Sequence, residues 1–139
     1  MFLLDTNVLS ALMTLKPPAQ VAAWLARQPP EQVFTATVCQ AEILSGLAIL
    51  PRGRRRAALV AAAEAMFLED FEGRVLAFDM AAAVDYADIF AARRRAGRPA
   101  AMADLMIAAI AHVHGASVVT RNAADFEHCG VAVVDPWRD

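Results

Sequence analysis

Lysine is almost missing from this chain. Lys16 is the one lysine among 13 basic residues, and arginine supplies the rest. Lys16 stands directly before Pro17-Pro18, so there is no phosphate-binding loop, which requires a Gly-Lys-Ser/Thr run. The scarcity also counts against receiver-type phosphoacceptors and haloacid-dehalogenase-type phosphatases. Both need a lysine beside the phosphorylated aspartate, and the latter carries a second aspartate two residues after the first, where this chain has Asn7. Cysteine is limited to Cys39 and Cys129. Two thiols make neither a disulfide framework nor a metal-ligand spacing, and they fit a reducing cytoplasm. His112, His114 and His128 lack an HExxH or CxxC context and read as surface or helix-end residues. No GxSxG nucleophile elbow is present. No apolar run approaches the roughly 18 residues that span a bilayer. The apolar start is interrupted by Asp5 and Asn7 and has no basic lead, so neither a membrane span nor a signal peptide is expected.

What the chain does have is alanine, arginine and a few well-separated polar clusters. Its 139 residues fit one domain. The apolar share is 58%, and its Ala, Leu and Met content favours helix over strand. A net charge of −2 is not that of a generic nucleic-acid binder. The arginines are nevertheless clustered, at Arg52, Arg54, Arg55 and Arg56 and again at Arg93, Arg94 and Arg95, with Arg98 beyond. Guanidinium groups contact phosphate with defined geometry. A solvated helix end is the alternative for the second cluster. The first cluster precedes a helix, where the dipole disfavours it, and so leans towards function.

The hydrophobic pattern predicts strands at 2–4, 33–35, 75–78, 117–119 and 131–134, with helices at 7–15, 18–28, 38–50, 54–68, 80–96 and 101–112 between them. Strands alternating with helices imply βαβ units. The fold class is α/β, a short five-stranded parallel sheet flanked by helices on both faces. Neither a repeat nor a linker divides residues 1–139.

Four polar clusters interrupt this apolar framework. Asp5 ends the first strand, which puts a carboxylate at the carboxyl edge of the sheet, where open α/β sheets bind ligands; it also suits a helix N-cap. Glu42 has Val38, Cys39, Ser45 and Gly46 as helical neighbours. It either sits in a pocket or is an exposed residue of an amphipathic helix. Asp104 is the only polar residue of the stretch 100–111. A helix apolar all round is buried, and a carboxylate within it needs a cation or donors, unless it simply favours the helix N-terminal turn. Thr120, Arg121 and Asn122 follow the fourth strand, with Asp125 close behind. They either cap a short helix or orient a carboxylate, water or metal. Together, carboxylates gathered at one sheet edge point to a divalent cation and phosphoester chemistry.

The ordered set Leu-Leu-Asp-Thr-Asn-Val-Leu-Ser at 3–10, Ala-Glu-Ile at 41–43, Ala-Asp-Leu-Met-Ile-Ala-Ala at 103–109 and Thr-Arg-Asn-Ala-Ala-Asp-Phe at 120–126 resembles the PIN-domain nucleases, and more narrowly the VapC toxins of bacterial toxin–antitoxin pairs. The resemblance runs through to Asp-Pro-Trp at 135–137. It implies a PIN-like fold and a ribonuclease dependent on one or two Mg²⁺ or Mn²⁺ ions. Asp5, Glu42 and Asp104 would be catalytic and metal-binding, with Thr6, Asn7, Thr120, Asn122 and Asp125 in support. The family often has a fourth acid where this chain has Asn122, so either Asn122 or Asp125 completes the site. Arg54, Arg55, Arg56, Arg93, Arg94, Arg95 and Arg121 would hold RNA. Further implications are a homodimer, a small antitoxin that threads an arm over the site, and contact with DNA only through that antitoxin. A groove beside the helices at 7–15 and 18–28 is expected to take an antitoxin helix, with Met13 and Trp24 partly exposed in it. An antitoxin arginine would then reach the acids. The alternatives are a binding module on the same fold without catalysis, and a structure-specific DNA nuclease.

Overall fold

The computed structural model describes residues 1–139. Five strands form one sheet: β1 (Phe2–Leu4), β2 (Val33–Ala36), β3 (Val75–Leu76), β4 (Ser117–Val119) and β5 (Val133–Val134). Every pairing is parallel, and the order across the sheet is β3-β2-β1-β4-β5. The central strand β1 aligns Leu3 with Phe34 on one side and with Val118 on the other. These central strands have no wet face: Leu3 and Leu4 of β1 and Val118 and Val119 of β4 are all buried. This is why the strands read as plain apolar runs rather than alternating ones.

The strand order reverses direction at β1. The chain steps outward to β2 and β3, then crosses back to the far side of β1 for β4 and β5. Right-handed crossovers then put the helices before β3 on one face and those after it on the other. The first group is α1 (Thr6–Leu12), α2 (Ala19–Ala26), α3 (Thr37–Ala48) and α4 (Arg54–Ala65); the second is α5 (Met80–Arg95) and α6 (Met102–His114). A reversal of this kind opens a crevice at the carboxyl ends of the two diverging strands. Here those strands are β1 and β4, followed by Asp5 and Thr120.

Helix α6 is the buried helix that its composition predicts. Leu105 and the run Ile107 to Ala111 lie inside, and its small residues let α5 pack closely along it. Gly115 ends α6 in the left-handed region at φ 64°, which glycine adopts without penalty. Asp79 caps α5, its carboxylate accepting from the Ala82 N–H at 2.9 Å. No helix is long and apolar enough to cross a membrane.

Several features differ from the sequence expectations; β3 stops at Leu76 rather than residue 78, and β5 begins at Val133 rather than residue 131. Helix α1 stops at Leu12, not at residue 15; Thr14 turns its hydroxyl back onto the Ala11 carbonyl, and Leu15 is fully exposed. Helix α4 ends at Ala65 and widens into a π turn over Met66–Asp70, which tucks Met66 and Phe67 into the core. Trp24 was expected to be partly exposed but is 5% exposed. Its ring meets Phe2 edge-on, centroids 5.1 Å apart, so it belongs to the core under α2. Met13 remains partly buried, as expected.

Candidate active site

Asp5 sits at the mouth of the crevice and is 4% exposed. Such burial of a carboxylate is tolerated only with donors around it, and three are present. The Thr6 N–H donates to Oδ1 at 2.6 Å, the Thr120 hydroxyl to Oδ2 at 2.8 Å, and the Asn7 amide to Oδ2 at 3.3 Å. The capping role and the site role of Asp5 therefore coincide, since the Thr6 N–H opens α1. Burial still outweighs these bonds and raises the Asp5 pKa, with Glu42 and Asp125 adding repulsion.

Thr120 is the hub. Its hydroxyl donates to Asp5 while accepting from the Asn7 amide at 3.3 Å and the Asn122 N–H at 3.1 Å. Asn7 in turn accepts from the Arg121 N–H at 3.3 Å. The ends of β1 and β4 are thus joined by a closed network of side chains. On the other flank, the Thr6 hydroxyl donates to Glu42 Oε1 at 2.7 Å. Glu42 is exposed, as the amphipathic-helix alternative had it, yet it is tethered to the same site from α3.

Asp104 lies in the first turn of α6, half-buried. Its pKa is pushed up to about 6, chiefly by burial, then by Asp5, Asp125 and Glu42, with Arg93 pulling the other way. Four acids from four segments therefore share one electrostatic field. No ion pair neutralises any of them. Asp125 joins through the short 3₁₀ helix Ala123–Phe126, whereas Asn122 is exposed and contributes its backbone N–H.

The donor set suits a hard cation: all oxygen, carboxylate-rich and short of positive charge. No three His, Cys, Asp or Glu side chains converge tightly enough to cage an ion. The acids line an open crevice rather than a closed cage. Nearby Cys39 offers no alternative chemistry. Its thiol donates to the Leu4 carbonyl at 3.6 Å, and burial beside Asp5 pushes its pKa up to about 12.

The arginines divide. Arg54 opens α4 with Arg55 and Arg56, and Arg55 lines a groove of about 680 Å³ that also contains Thr6, Met13, Glu42 and Leu59. Positive charge thus shares a groove with the acidic site. Met13 also borders a neighbouring hollow of about 540 Å³ between Leu12, Leu25, Met66 and Phe71. Arg94 and Arg95 are exposed, and Arg94 lies over the Phe90 ring. Arg93 departs from expectation: it is 5% exposed and donates to the carbonyls of Ala124 and Glu127 at 3.1 and 2.7 Å. A guanidinium committed in this way pins α5 to the turn that carries Asp125 and is not free to grip RNA. Arg121 lies with its guanidinium 5.1 Å from the Trp137 ring centroid. That pairing spans a wide sequence separation and had no local signal.

Comparison with known proteins agrees with this geometry. The PIN domain family model matches residues 2–131. A VapC ribonuclease of Sinorhizobium fredii is 39% identical over 137 residues, covering 99% of this chain and 98% of the relative. Toxin FitB of Neisseria gonorrhoeae is 38% identical over 139 residues, covering all of both chains. The crystal structure of FitAcB from the same organism superposes with a TM-score of 0.93 at 37% identity over the whole of both chains. The chain belongs to the PIN-domain family, and its resemblance to VapC ribonucleases and to FitB extends over its full length.

Proposed function

We propose that this protein is a metal-dependent endoribonuclease, the toxin of a toxin–antitoxin pair, acting in the cytoplasm. The observation that carries the reading is the group of un-neutralised acids, Asp5, Glu42, Asp104 and Asp125, at the crevice between β1 and β4. Relatives bearing the names VapC ribonuclease and toxin FitB support the activity and the toxic role.

Asp5 and Asp104 are the residues that would hold one or two Mg²⁺ or Mn²⁺ ions, with Glu42 beside them. An ion bound there supplies Lewis-acid stabilisation of the phosphate and an activated water. The chain's own residues set the stage. Thr120 and Asn7 orient the Asp5 carboxylate and keep it from rotating. Thr6 holds Glu42 towards the crevice. Burial and the neighbouring acids push the Asp104 pKa up to about 6, and a bound cation would relieve that repulsion. The arginines of α4, and Arg94, Arg95 and Arg121, provide counter-charge that lets an anionic substrate approach an acidic centre.

The partner follows from the same groove. An amphipathic helix of a small antitoxin fits beside Met13 and Leu59, and a basic side chain from it would neutralise the acids. FitAB and a VapBC have been solved on DNA; for this chain, DNA contact through the antitoxin and a homodimeric state are part of the proposal. The test is brief induction of the wild-type chain and of Asp5→Asn in a host, followed by sequencing of RNA ends. New ends at defined sites with wild type alone support the reading. Identical end profiles for the two proteins overturn it.

A further inference from the structure

We propose that Arg121 and Trp137 form a stacking platform for an unpaired RNA base beside the scissile phosphate, selecting single-stranded over double-helical substrate. The proposal rests on the ribonuclease reading above and adds the residues that choose the strand form.

Arg121 directly follows Thr120, the residue that orients Asp5, and its own N–H is bonded to Asn7. Its backbone is thus fixed to the acidic centre. Its side chain is exposed, yet it forms no ion pair with the nearby acids. Instead the guanidinium lies 5.1 Å from the centroid of Trp137. Trp137 follows β5, at the same carboxyl edge of the sheet. Its backbone N–H donates to Asp135 Oδ1 at 2.9 Å, the preceding Pro136 is buried, and the ring is partly buried against the core. The ring is therefore held by the body of the protein.

A guanidinium is planar, and its two faces are weakly hydrated. Here the guanidinium lies over an indole that restrains it. Its exposed surface can receive a flat, polarisable partner. Unpaired bases of RNA stack on aromatic rings and on arginine planes, whereas bases within an A-form duplex stay stacked on each other. A platform anchored one residue from the Asp5 network would hold a base flanking the phosphate under attack. It would leave a duplex without that contact.

The test uses the full chain and its own fluorescence. Of the two tryptophans, Trp24 is buried in the core and Trp137 is only partly buried. Short single-stranded RNA, added to the Asp104→Asn protein, should quench the emission, and a duplex of the same sequence should not. Trp137→Phe should abolish the quenching. In cleavage assays Arg121→Ala should raise KM for single-stranded RNA about tenfold, within the range measured for base stacking, with kcat much less affected. Arg121→Lys keeps the charge and loses the plane, and it should be impaired nearly as much. Equal quenching by duplex and single strand, or none by either, overturns the platform, as does wild-type KM in Arg121→Lys, which would make the contact one of charge alone. Thermal melts of each variant separate loss of binding from loss of fold. If the wild-type chain cleaves no RNA with either metal, the ribonuclease reading falls, and the quenching result still decides the platform.

Discussion

Replacing Arg93 with methionine separates two roles for a conspicuous run of arginines. In the structure Arg93 is a buried tie between α5 and the turn holding Asp125. Methionine preserves most of the apolar stem and removes two charge-assisted hydrogen bonds, each worth about 1.5–3 kcal/mol. Part of that is returned, because the buried Nε has no partner and its desolvation cost disappears with it. A net loss of about 2–3 kcal/mol is expected, roughly 7–10 °C in melting temperature for a domain of this size. A second effect accompanies it. Arg93 pulls the Asp104 pKa down, so without it Asp104 should titrate higher and the acid limb of the cleavage profile should move to higher pH. Urea melts and a pH–rate profile read the two effects. An Arg93→Met protein as stable as wild type, with a shallower salt dependence of RNA binding, would refute the buried-tie account and make Arg93 a phosphate contact.

Further outcomes follow from the same geometry. The folded-state pKa of Asp104, about 6, lies above the ordinary aspartate value of about 3.9; between those values the native state binds more protons than the unfolded chain, so this group's contribution to stability falls as pH rises through the window. Melts in chelator across that range should show a slope that Asp104→Asn flattens; an unchanged slope would count against the strained acid. Mn²⁺ at a hundredfold excess over its dissociation constant should stabilise the wild type by about 2.7 kcal/mol, and identical melts in Mn²⁺ and EDTA would contradict a metal site in the folded state. Trp24→Ala should cost the fold about 3–5 kcal/mol, whereas Met13→Ala, in the groove, should weaken antitoxin binding with a much smaller loss of stability; the reverse pattern in paired melts and pull-downs would move the docking surface to α2.

The parts of the molecule that local physics controls were legible in the chain. Short β-branched and leucine runs punctuated by Pro and Gly announced strands alternating with helices. Asp5 at the end of β1 and Asp104 inside an otherwise apolar helix stood out as candidates, because a carboxylate is costly in those surroundings. The strand order was not legible, since parallel pairing is decided by long-range packing. Arg93 shows the same limit. In sequence it is one of three adjacent arginines, and only the docking of α5 on the turn at 123–126 makes it the buried one. Trp24 has the i, i+3 spacing of a core residue, and a general preference of tryptophan for interfaces was outweighed by Phe2 beneath it. The widened turn after Ala65 replaces the last turn of a pattern that reads as continuous helix.

The central claim is that Asp5 and Asp104 hold a divalent ion with which RNA is hydrolysed. The most direct measurement is cleavage of a defined single-stranded RNA by the purified chain, in Mg²⁺ or Mn²⁺ and in excess EDTA, beside Asp5→Asn and Asp104→Asn proteins shown by melting to be folded. Cleavage should occur only for the wild type with metal, falling by orders of magnitude in each of the other conditions. Undiminished cleavage in EDTA, or by the folded Asp5→Asn protein with metal, would contradict it.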